Sequence, residues 1–88
     1  MKLIIDKSFQ KDYQKIKDKF TIQIINDKLI EFYKVDNHQE ISNCKKLVGY
    51  RNAYRVKVGN YRIGFLIEDN NLVLIRCLPR KDIYKYFP

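Results

Sequence analysis

The sequence predicts a single α+β domain in which an N-terminal strand and a helical hairpin precede antiparallel strands that form a twisted sheet. Three observations lead to this class. Apolar residues recur at helical spacing in the first half, alternating residues flank a Gly-Asn turn in the second half, and 88 residues suffice for only one modest core. We therefore expect residues 1–88 to form one domain, with both helices packed on one face of the sheet.

The first half of the chain contains one short strand and two helical patterns. Residues 2–5 are largely β-branched and predict a strand. Ser8 is a good N-cap for a first helix that is expected to end near Lys19. A second helix is expected from about Thr21. The apolar stripes that predict the two helices, and that should face the core, are Phe9, Tyr13, Ile16 and Phe20 in the first and Ile22, Ile25, Leu29 and Phe32 in the second.

Residues 35–43 are polar and lack a period, so they predict a loop between the helical half and the β-rich half. The only histidine, His38, lies in this segment and is expected to be exposed to solvent. A single histidine without a second ligand nearby does not predict a metal site.

The second half predicts three strands. Residues 54–58 and 61–67 alternate around the two-residue turn Gly59-Asn60, and a third strand is expected over residues 72–78. Pro79 should end that strand, and residues 80–87 predict a short terminal helix.

Counting outward from the turn places Lys57 opposite Arg62 and divides the hairpin into two faces. The apolar face, which should cover the helices, consists of Tyr54, Val56, Val58, Tyr61, Ile63 and Phe65, and the other face of Arg55, Lys57, Arg62, Gly64 and Leu66. Two like charges directly opposite each other weaken a hairpin unless an anion lies between them. Gly64 would let a ligand backbone approach. These features favour a phosphate-binding surface over a basic face that is only exposed to solvent.

Burial alone does not orient the third strand, because both of its faces are largely apolar. We expect Arg76 to share the basic face and Val73, Ile75 and Cys77 to point to the core. This orientation requires an odd-length turn such as residues 69–71, since a two-residue turn would bury an unpaired Arg76 opposite Ile63.

Composition points to a polyanionic partner. Eighteen Lys and Arg against ten Asp and Glu give a formal net charge of +8, and all five arginines lie in the second half of the chain. Two distant cysteines, Cys44 and Cys77, predict reduced structural thiols rather than a disulfide framework or a zinc site. No secretory signal or membrane-spanning stretch is evident, so the expected location is cytoplasmic, with no membrane association.

Three motifs resemble the RelE/ParE superfamily of bacterial and archaeal toxins. They are the run from Lys46-Leu47 to Gly49, the strand–turn–strand 54–63 with its Gly-Asn-Tyr-Arg turn, and the terminal segment from Pro79-Arg80 to Tyr84. The resemblance implies antiparallel strands with two helices on one face, and an acidic antitoxin as partner. For the RelE branch it implies cleavage of mRNA on the ribosome by attack of a 2′-hydroxyl on the adjacent phosphate, without a metal or other cofactor.

The resemblance also implies roles for individual residues. Arg55 and Lys57 match the basic pair on the strand, Arg62 the arginine after the turn, and Arg80 and Tyr84 the terminal pair, so these five are the candidate catalytic residues. Further candidate RNA contacts are Lys45, Lys46, Arg51, Arg76 and Lys81.

This chain departs from some active relatives, which have a histidine where Pro79 stands and a lysine where Arg55 stands. Cleavage would then proceed without a histidine acid–base pair. Three alternatives stay open: a ParE-like inhibitor of DNA gyrase without nuclease activity, a non-catalytic nucleic-acid-binding module, and a structural protein with a basic face.

Overall fold

The computed structural model describes all residues from Met1 to Pro88. Its elements in chain order are β1 (Lys2–Ile5), α1 (Lys7–Gln14), α2 (Lys19–Lys34), a 3₁₀ turn (His38–Glu40), β2 (Cys44–Lys46), β3 (Ala53–Val58), β4 (Tyr61–Glu68), β5 (Asn71–Pro79) and α3 (Arg80–Tyr86). The five strands form one sheet in the order β1-β5-β4-β3-β2. The predicted α+β class is confirmed.

Two strand relationships were not predicted. The first strand, β1, pairs parallel to β5, whereas all the other strand pairs are antiparallel. The short strand β2 pairs with β3, Lys45 opposite Arg55, and it was missed because three residues are too few for an alternating pattern to stand out.

The two predicted helices form, but both of their N-termini differ from the prediction. Asp6, not Ser8, caps α1, accepting hydrogen bonds from the Ser8 backbone N–H at 3.1 Å and from the Ser8 hydroxyl at 2.6 Å. Asp18 caps α2 by accepting from the Thr21 N–H at 2.9 Å. The cap at Asp18 starts α2 earlier than expected, α1 ends at Gln14, and Phe20 is 68% exposed in the first turn of α2.

The β3–β4 hairpin has the predicted register, with Val58 opposite Tyr61 and Lys57 opposite Arg62. Gly59 adopts a φ of +58°, a conformation that glycine reaches without strain. The two faces separate as expected: Val56, Ile63 and Phe65 are fully buried toward the helices, whereas Lys57 is exposed on the opposite face.

The prediction of an odd-length turn before β5 was wrong. The turn has two residues, Asp69 and Asn70, both with positive φ, as in the tight hairpin turns that match strand twist. Leu72 and Leu74 consequently point to the main core in place of Val73 and Ile75.

A β-bulge prevents the burial of Arg76 that a two-residue turn would otherwise cause. Gly64 is paired with Arg76 but its neighbour Phe65 with Leu74, so Ile75 is an extra residue on β5. The bulge reverses the alternation, and Cys77 rather than Arg76 enters the core opposite Ile63.

Apolar residues are buried on both faces of the sheet. The main core lies between the sheet and helices α1 and α2 and includes Phe9, Ile25, Phe32, Phe65 and Leu74. A smaller core lies under α3, on the other face, and consists of Ala53, Ile83 and Phe87 with Leu47, Leu66, Ile75 and Leu78 packed around them. The terminal helix therefore covers part of the face that carries the basic residues.

Gly64 and His38 have other surroundings than we expected. A Cβ on Gly64 would lie 2.6 Å from the ring of Phe87, so the missing side chain accommodates the chain's own aromatic ring rather than a ligand backbone. His38 is half-buried, and its ring lies 4.6 Å from that of Tyr54, measured between centroids. Neither packing partner is near in sequence, which is why neither was predicted.

None of the helices combines the length and the apolar character needed to cross a bilayer.

Candidate nucleic-acid interface

A cleft of about 350 Å³ opens on the face of the sheet that α3 covers in part. Its lining consists of Asn43, Cys44, Lys45, Arg55, Lys57, Arg62 and Tyr84. These residues come from β2 and the turn before it, from the β3–β4 hairpin and from α3. Four side chains are cationic and none is a carboxylate, so the cleft attracts anions. We call it the basic cleft.

The hairpin fixes Arg62 on the floor of the basic cleft. One terminal nitrogen of its guanidinium, Nη1, donates to the carbonyl oxygens of Gly59 at 3.0 Å and Tyr61 at 2.9 Å. A guanidinium has five N–H donors, so those on Nε and Nη2 stay free for a ligand. Because Nη1 is already hydrogen-bonded, the Arg62 guanidinium has less orientational freedom to lose when a phosphate binds.

Helix α3 brings Tyr84 over the basic cleft. The guanidinium carbon of Arg55 lies 4.6 Å from the ring centroid of Tyr84, within the range of a cation–π contact. Pro79 starts α3 directly at the end of β5, and Ile83 anchors the helix in the smaller core. The neighbouring Tyr84 is 55% exposed and can contact a ligand.

The cations around Tyr84 lower the pKa of its phenol below the ordinary tyrosine value. The largest cause is the Arg80 guanidinium acting as a hydrogen-bond donor, followed by the positive charges of Arg55, Arg80 and Arg62. These groups stabilise the phenolate because it is negatively charged. Arg80, the first residue of α3, therefore acts on the basic cleft through Tyr84, although it is not among the residues that line it.

A polar network holds the β2 side of the basic cleft. The Lys28 ammonium contacts Glu31 at 2.8 Å and the Ser42 hydroxyl at 3.1 Å, and Glu31 accepts the Ser42 backbone N–H at 2.9 Å. Asn43 follows in the left-handed region, with a φ of +59°. Asn43 and Cys44 were not predicted as site residues; an asparagine just before a strand, where a left-handed turn is favourable, was the available signal.

The remaining residues that were expected to bind RNA lie in different places. Lys46 points away from the basic cleft and lines a separate depression with His38 and Tyr54. Arg51 is exposed in the β2–β3 loop and Lys81 on α3.

Arg76 is not part of the basic cleft. Its Nε and Nη2 donate to the carboxylate of Asp12 at 2.7 and 3.0 Å. The side chain is thus directed to the open edge of β5 and away from Arg55, Lys57 and Arg62.

The cysteines and acidic residues do not add chemistry to the cleft. Burial raises the pKa of Cys44 to about 11 and that of Cys77 to about 12, so both thiols are neutral near pH 7. No three His, Cys, Asp or Glu side chains come together in a group that could hold a metal ion.

The fold and the basic cleft define a class: small α+β proteins whose sheet presents clustered arginine and lysine beside a C-terminal tyrosine. The family described as the ParE toxin of type II toxin–antitoxin systems, parDE, matches residues 3–84. The chain is 37% identical over 92 aligned residues to Toxin RelE3 of Methanocaldococcus jannaschii, and the alignment covers all of both chains.

Solved structures agree with these matches. The RelB–RelE antitoxin–toxin complex of Methanococcus jannaschii has a TM-score of 0.81 and 33% identity, over 97% of this chain and 99% of that one. The archaeal RelE–RelB complex of Pyrococcus horikoshii has a TM-score of 0.71 at 20% identity, covering 90% and 93%, and supports the fold alone. The chain belongs to the RelE/ParE toxin superfamily and is the toxin of a type II toxin–antitoxin system.

Proposed function

We propose that this toxin is a metal-free endoribonuclease that cleaves mRNA, and that it does so on the ribosome in the cytoplasm. The observation that supports this proposal most strongly is the lining of the basic cleft, where four cations surround a tyrosine and no carboxylate or histidine is present. Fixed cations can stabilise the negative charge of a phosphorane, which is the role that a metal ion has in other nucleases.

In the proposed reaction the 2′-oxygen of a ribose attacks the adjacent phosphorus. The bond from the 2′-oxygen to phosphorus forms and the bond to the 5′-oxygen breaks, which leaves a cyclic phosphate and a 5′-hydroxyl. The proton of the 2′-hydroxyl goes to a base, and the leaving 5′-oxygen takes up a proton. Arg62 binds the scissile phosphate with the donors that the hairpin carbonyls leave free.

The other cleft residues have supporting roles in this proposal. Arg55 and Lys57 position the backbone and stabilise the attacking oxygen. Tyr84 stacks on a base or takes part in proton transfer, for which its lowered pKa is favourable, and Arg80 assists at the leaving oxygen.

Residues outside the centre of the cleft extend the proposed RNA contact. Lys45, Arg51 and Lys81 are exposed and can reach flanking phosphates, whereas Lys46 would contact only RNA that extends beyond the basic cleft. Arg76 would contact RNA only by leaving Asp12, so we assign it no direct contact here.

The test is in-vitro translation of a short defined mRNA with purified toxin, followed by mapping of transcript 5′ ends. Discrete cuts are expected with the wild-type protein, and Arg62→Ala should reduce the cutting rate about 10²- to 10³-fold, the usual effect of removing one transition-state donor. Lys34→Ala, an exposed lysine at the end of α2, is the control and should cut normally. A ribosome-free parallel with EDTA tests ribosome dependence and metal independence. Intact mRNA with the wild-type toxin would contradict the proposal.

A cognate acidic antitoxin is the proposed protein partner. The related RelE toxins were solved in complex with RelB, and the positive charge of this chain favours an acidic partner. The antitoxin is expected to cover the basic face or the apolar groove beside the helices. Replacement of Lys57 and Arg62 by Glu should abolish salt-sensitive association if the basic face is covered, whereas unchanged binding would assign the antitoxin to the helices.

A ParE-like inhibitor of DNA gyrase is the second candidate, because the matching family is described as the ParE toxin. In that case mRNA stays intact and purified toxin inhibits gyrase in a DNA-supercoiling assay. Salt-dependent RNA binding without cleavage or gyrase inhibition would instead identify a non-catalytic binding module.

A further inference from the structure

Beyond the last residue that pairs with β1, the outer edge of β5 has no neighbouring strand. The parallel ladder between β1 and β5 ends at Ile5 and Leu74. Two side chains of α1, one helical turn apart, bond to the backbone beyond that point. The Ser8 hydroxyl donates to the Ile75 carbonyl oxygen, and the Asp12 carboxylate accepts the Cys77 N–H at 3.0 Å. Helix α1 thus satisfies backbone groups that a strand would otherwise pair.

Asp12 is the only acidic or basic residue that is buried, with 5% of its surface exposed. Its carboxylate accepts three hydrogen bonds, one from the Cys77 backbone and two from the Arg76 guanidinium. A buried charge with this many donors is costly to disrupt, so the guanidinium is fixed in one orientation. The β-bulge at Ile75 is what brings Arg76 to this edge.

The fixed guanidinium contacts α3 on the side away from the basic cleft. The guanidinium carbon of Arg76 lies 5.7 Å from the ring centroid of Tyr86, two residues beyond the tyrosine that lies over Arg55. Helix α3 therefore makes one arginine–tyrosine contact at the cleft and a second at the β5 edge. A second cleft, whose lining includes Asp12, Arg76 and Tyr86, lies on this flank and shares no lining residue with the basic cleft.

We propose that Asp12, Arg76 and Tyr86 form a positioning array that holds α3, and with it Tyr84, in register with the basic cleft. None of the three touches the cleft, so they act through the helix rather than on a substrate. The consequence for cleavage rests on the proposed nuclease function, whereas the placement of Tyr84 does not.

The test separates these two consequences by following the Tyr84 phenol in the whole protein without RNA. Tyrosine labelled with ¹³C at Cζ reports ionisation by NMR, and Tyr84→Phe assigns one of the seven signals. Tyr86→Leu should raise the pKa of Tyr84 part of the way toward the ordinary tyrosine value, because α3 no longer holds the phenol beside Arg55 and Arg62. Arg80 lies on the same helix and moves with Tyr84. Tyr86→Leu and Tyr86→Phe both remove the Tyr86 hydroxyl, so a difference between the two variants reports the ring alone. Tyr86→Phe keeps the ring and should titrate like the wild type.

Because Tyr86 is 58% exposed, both variants should fold, which circular dichroism verifies. In the cleavage assay Tyr86→Leu should lower the rate about two- to fivefold at unchanged KM for RNA, the range of an exposed cation–π contact, and Tyr86→Phe should restore it. Asp12→Asn should raise the Tyr84 pKa in the same way.

An unchanged Tyr84 titration in folded Tyr86→Leu would overturn the proposal and leave Ile83 and Phe87 as the anchors of α3. A raised pKa in a protein whose wild type cuts no RNA would support the array and refute the nuclease function.

Discussion

The two faces of the sheet carry different kinds of residues. On the face toward α1 and α2, Val56, Ile63 and Phe65 are fully buried. On the other face the same two strands carry Lys57 directly opposite Arg62, a pairing of like charges that weakens a hairpin. The main core therefore lies on one face, and the residues proposed to bind RNA lie on the other beside the smaller core under α3, so substitutions should largely separate stability from binding.

The largest effect on stability is expected for Phe65→Ala. Phe65 packs against Phe32 and Tyr54 with centroid distances of 5.6 and 5.4 Å, and loss of such a ring from a core costs about 3–5 kcal/mol. That is a large part of the roughly 5–15 kcal/mol that stabilises a small domain. Urea unfolding measures the loss. Tyr33→Ala, which removes a ring that is 71% exposed, is the control and should change stability by no more than about 0.5 kcal/mol.

A smaller loss, about 1–3 kcal/mol, is expected for Gly64→Ala, because the new Cβ would overlap the Phe87 ring. Displacement of Phe87 should also loosen α3 and reduce cleavage. The double-mutant cycle with Phe87→Ala isolates this contact: the cost of Gly64→Ala should largely disappear once the ring is gone. Additive costs would mean that the overlap is relieved elsewhere.

Arg80→Ala should change the pH dependence of cleavage rather than stability. Arg80 is the largest cause of the lowered Tyr84 pKa, so its removal raises that pKa toward the ordinary value. If the phenolate accepts the 2′-hydroxyl proton, the rising limb of the pH–rate profile moves to higher pH by the same amount. Lys85→Ala removes an adjacent cation that is not among the causes of the lowered Tyr84 pKa, and it should leave the profile in place. A profile that does not move with Arg80→Ala would exclude Tyr84 as the base.

The smallest change in stability, a gain of a few tenths of a kcal/mol at low salt, is expected for Lys57→Gln, which removes the like charge opposite Arg62. Cleavage should fall at the same time, because the proposed function assigns Lys57 to binding the RNA backbone. Lys2→Gln, at an exposed strand position opposite Asn71, should produce neither effect. A loss of stability with Lys57→Gln would show that the pair is already neutralised.

Sequence patterns predicted the elements well where the pattern extended over many residues and where the turn was specified by its own residues. The register of the β3–β4 hairpin followed from Gly59-Asn60 by counting, and the helical stripes that include Ile25 and Phe32 do form the core. The predicted length of the turn at Asp69-Asn70 was wrong, because the prediction excluded a two-residue turn on the ground that it would bury an unpaired Arg76. A bulge brings Arg76 to the edge of the sheet, where it pairs with Asp12, a residue that is distant in sequence and has no local signature.

The candidate site was predictable only for residues that strand alternation or a family motif could place. Arg55, Lys57 and Arg62 could be placed on one face by parity, and Tyr84 by its resemblance to a family motif. Asn43 and Cys44 reach the cleft through the contact of Lys28 and Glu31 with Ser42, which no spacing rule describes. Gly64 is a similar case, since the absence of a side chain at this position is explained by the ring of Phe87, which is distant in sequence.

The parallel pairing of β1 with β5 joins the first strand of the chain to the last strand of the sheet. The first strand cannot pair until the last strand of the sheet has been synthesised. Helix α3, which brings Tyr84 to the cleft, is synthesised later still. Contacts this distant along the chain form late. The basic cleft is therefore incomplete while most of the chain is being translated, and the proposed nuclease would gain its activity only after the C-terminal helix has been made.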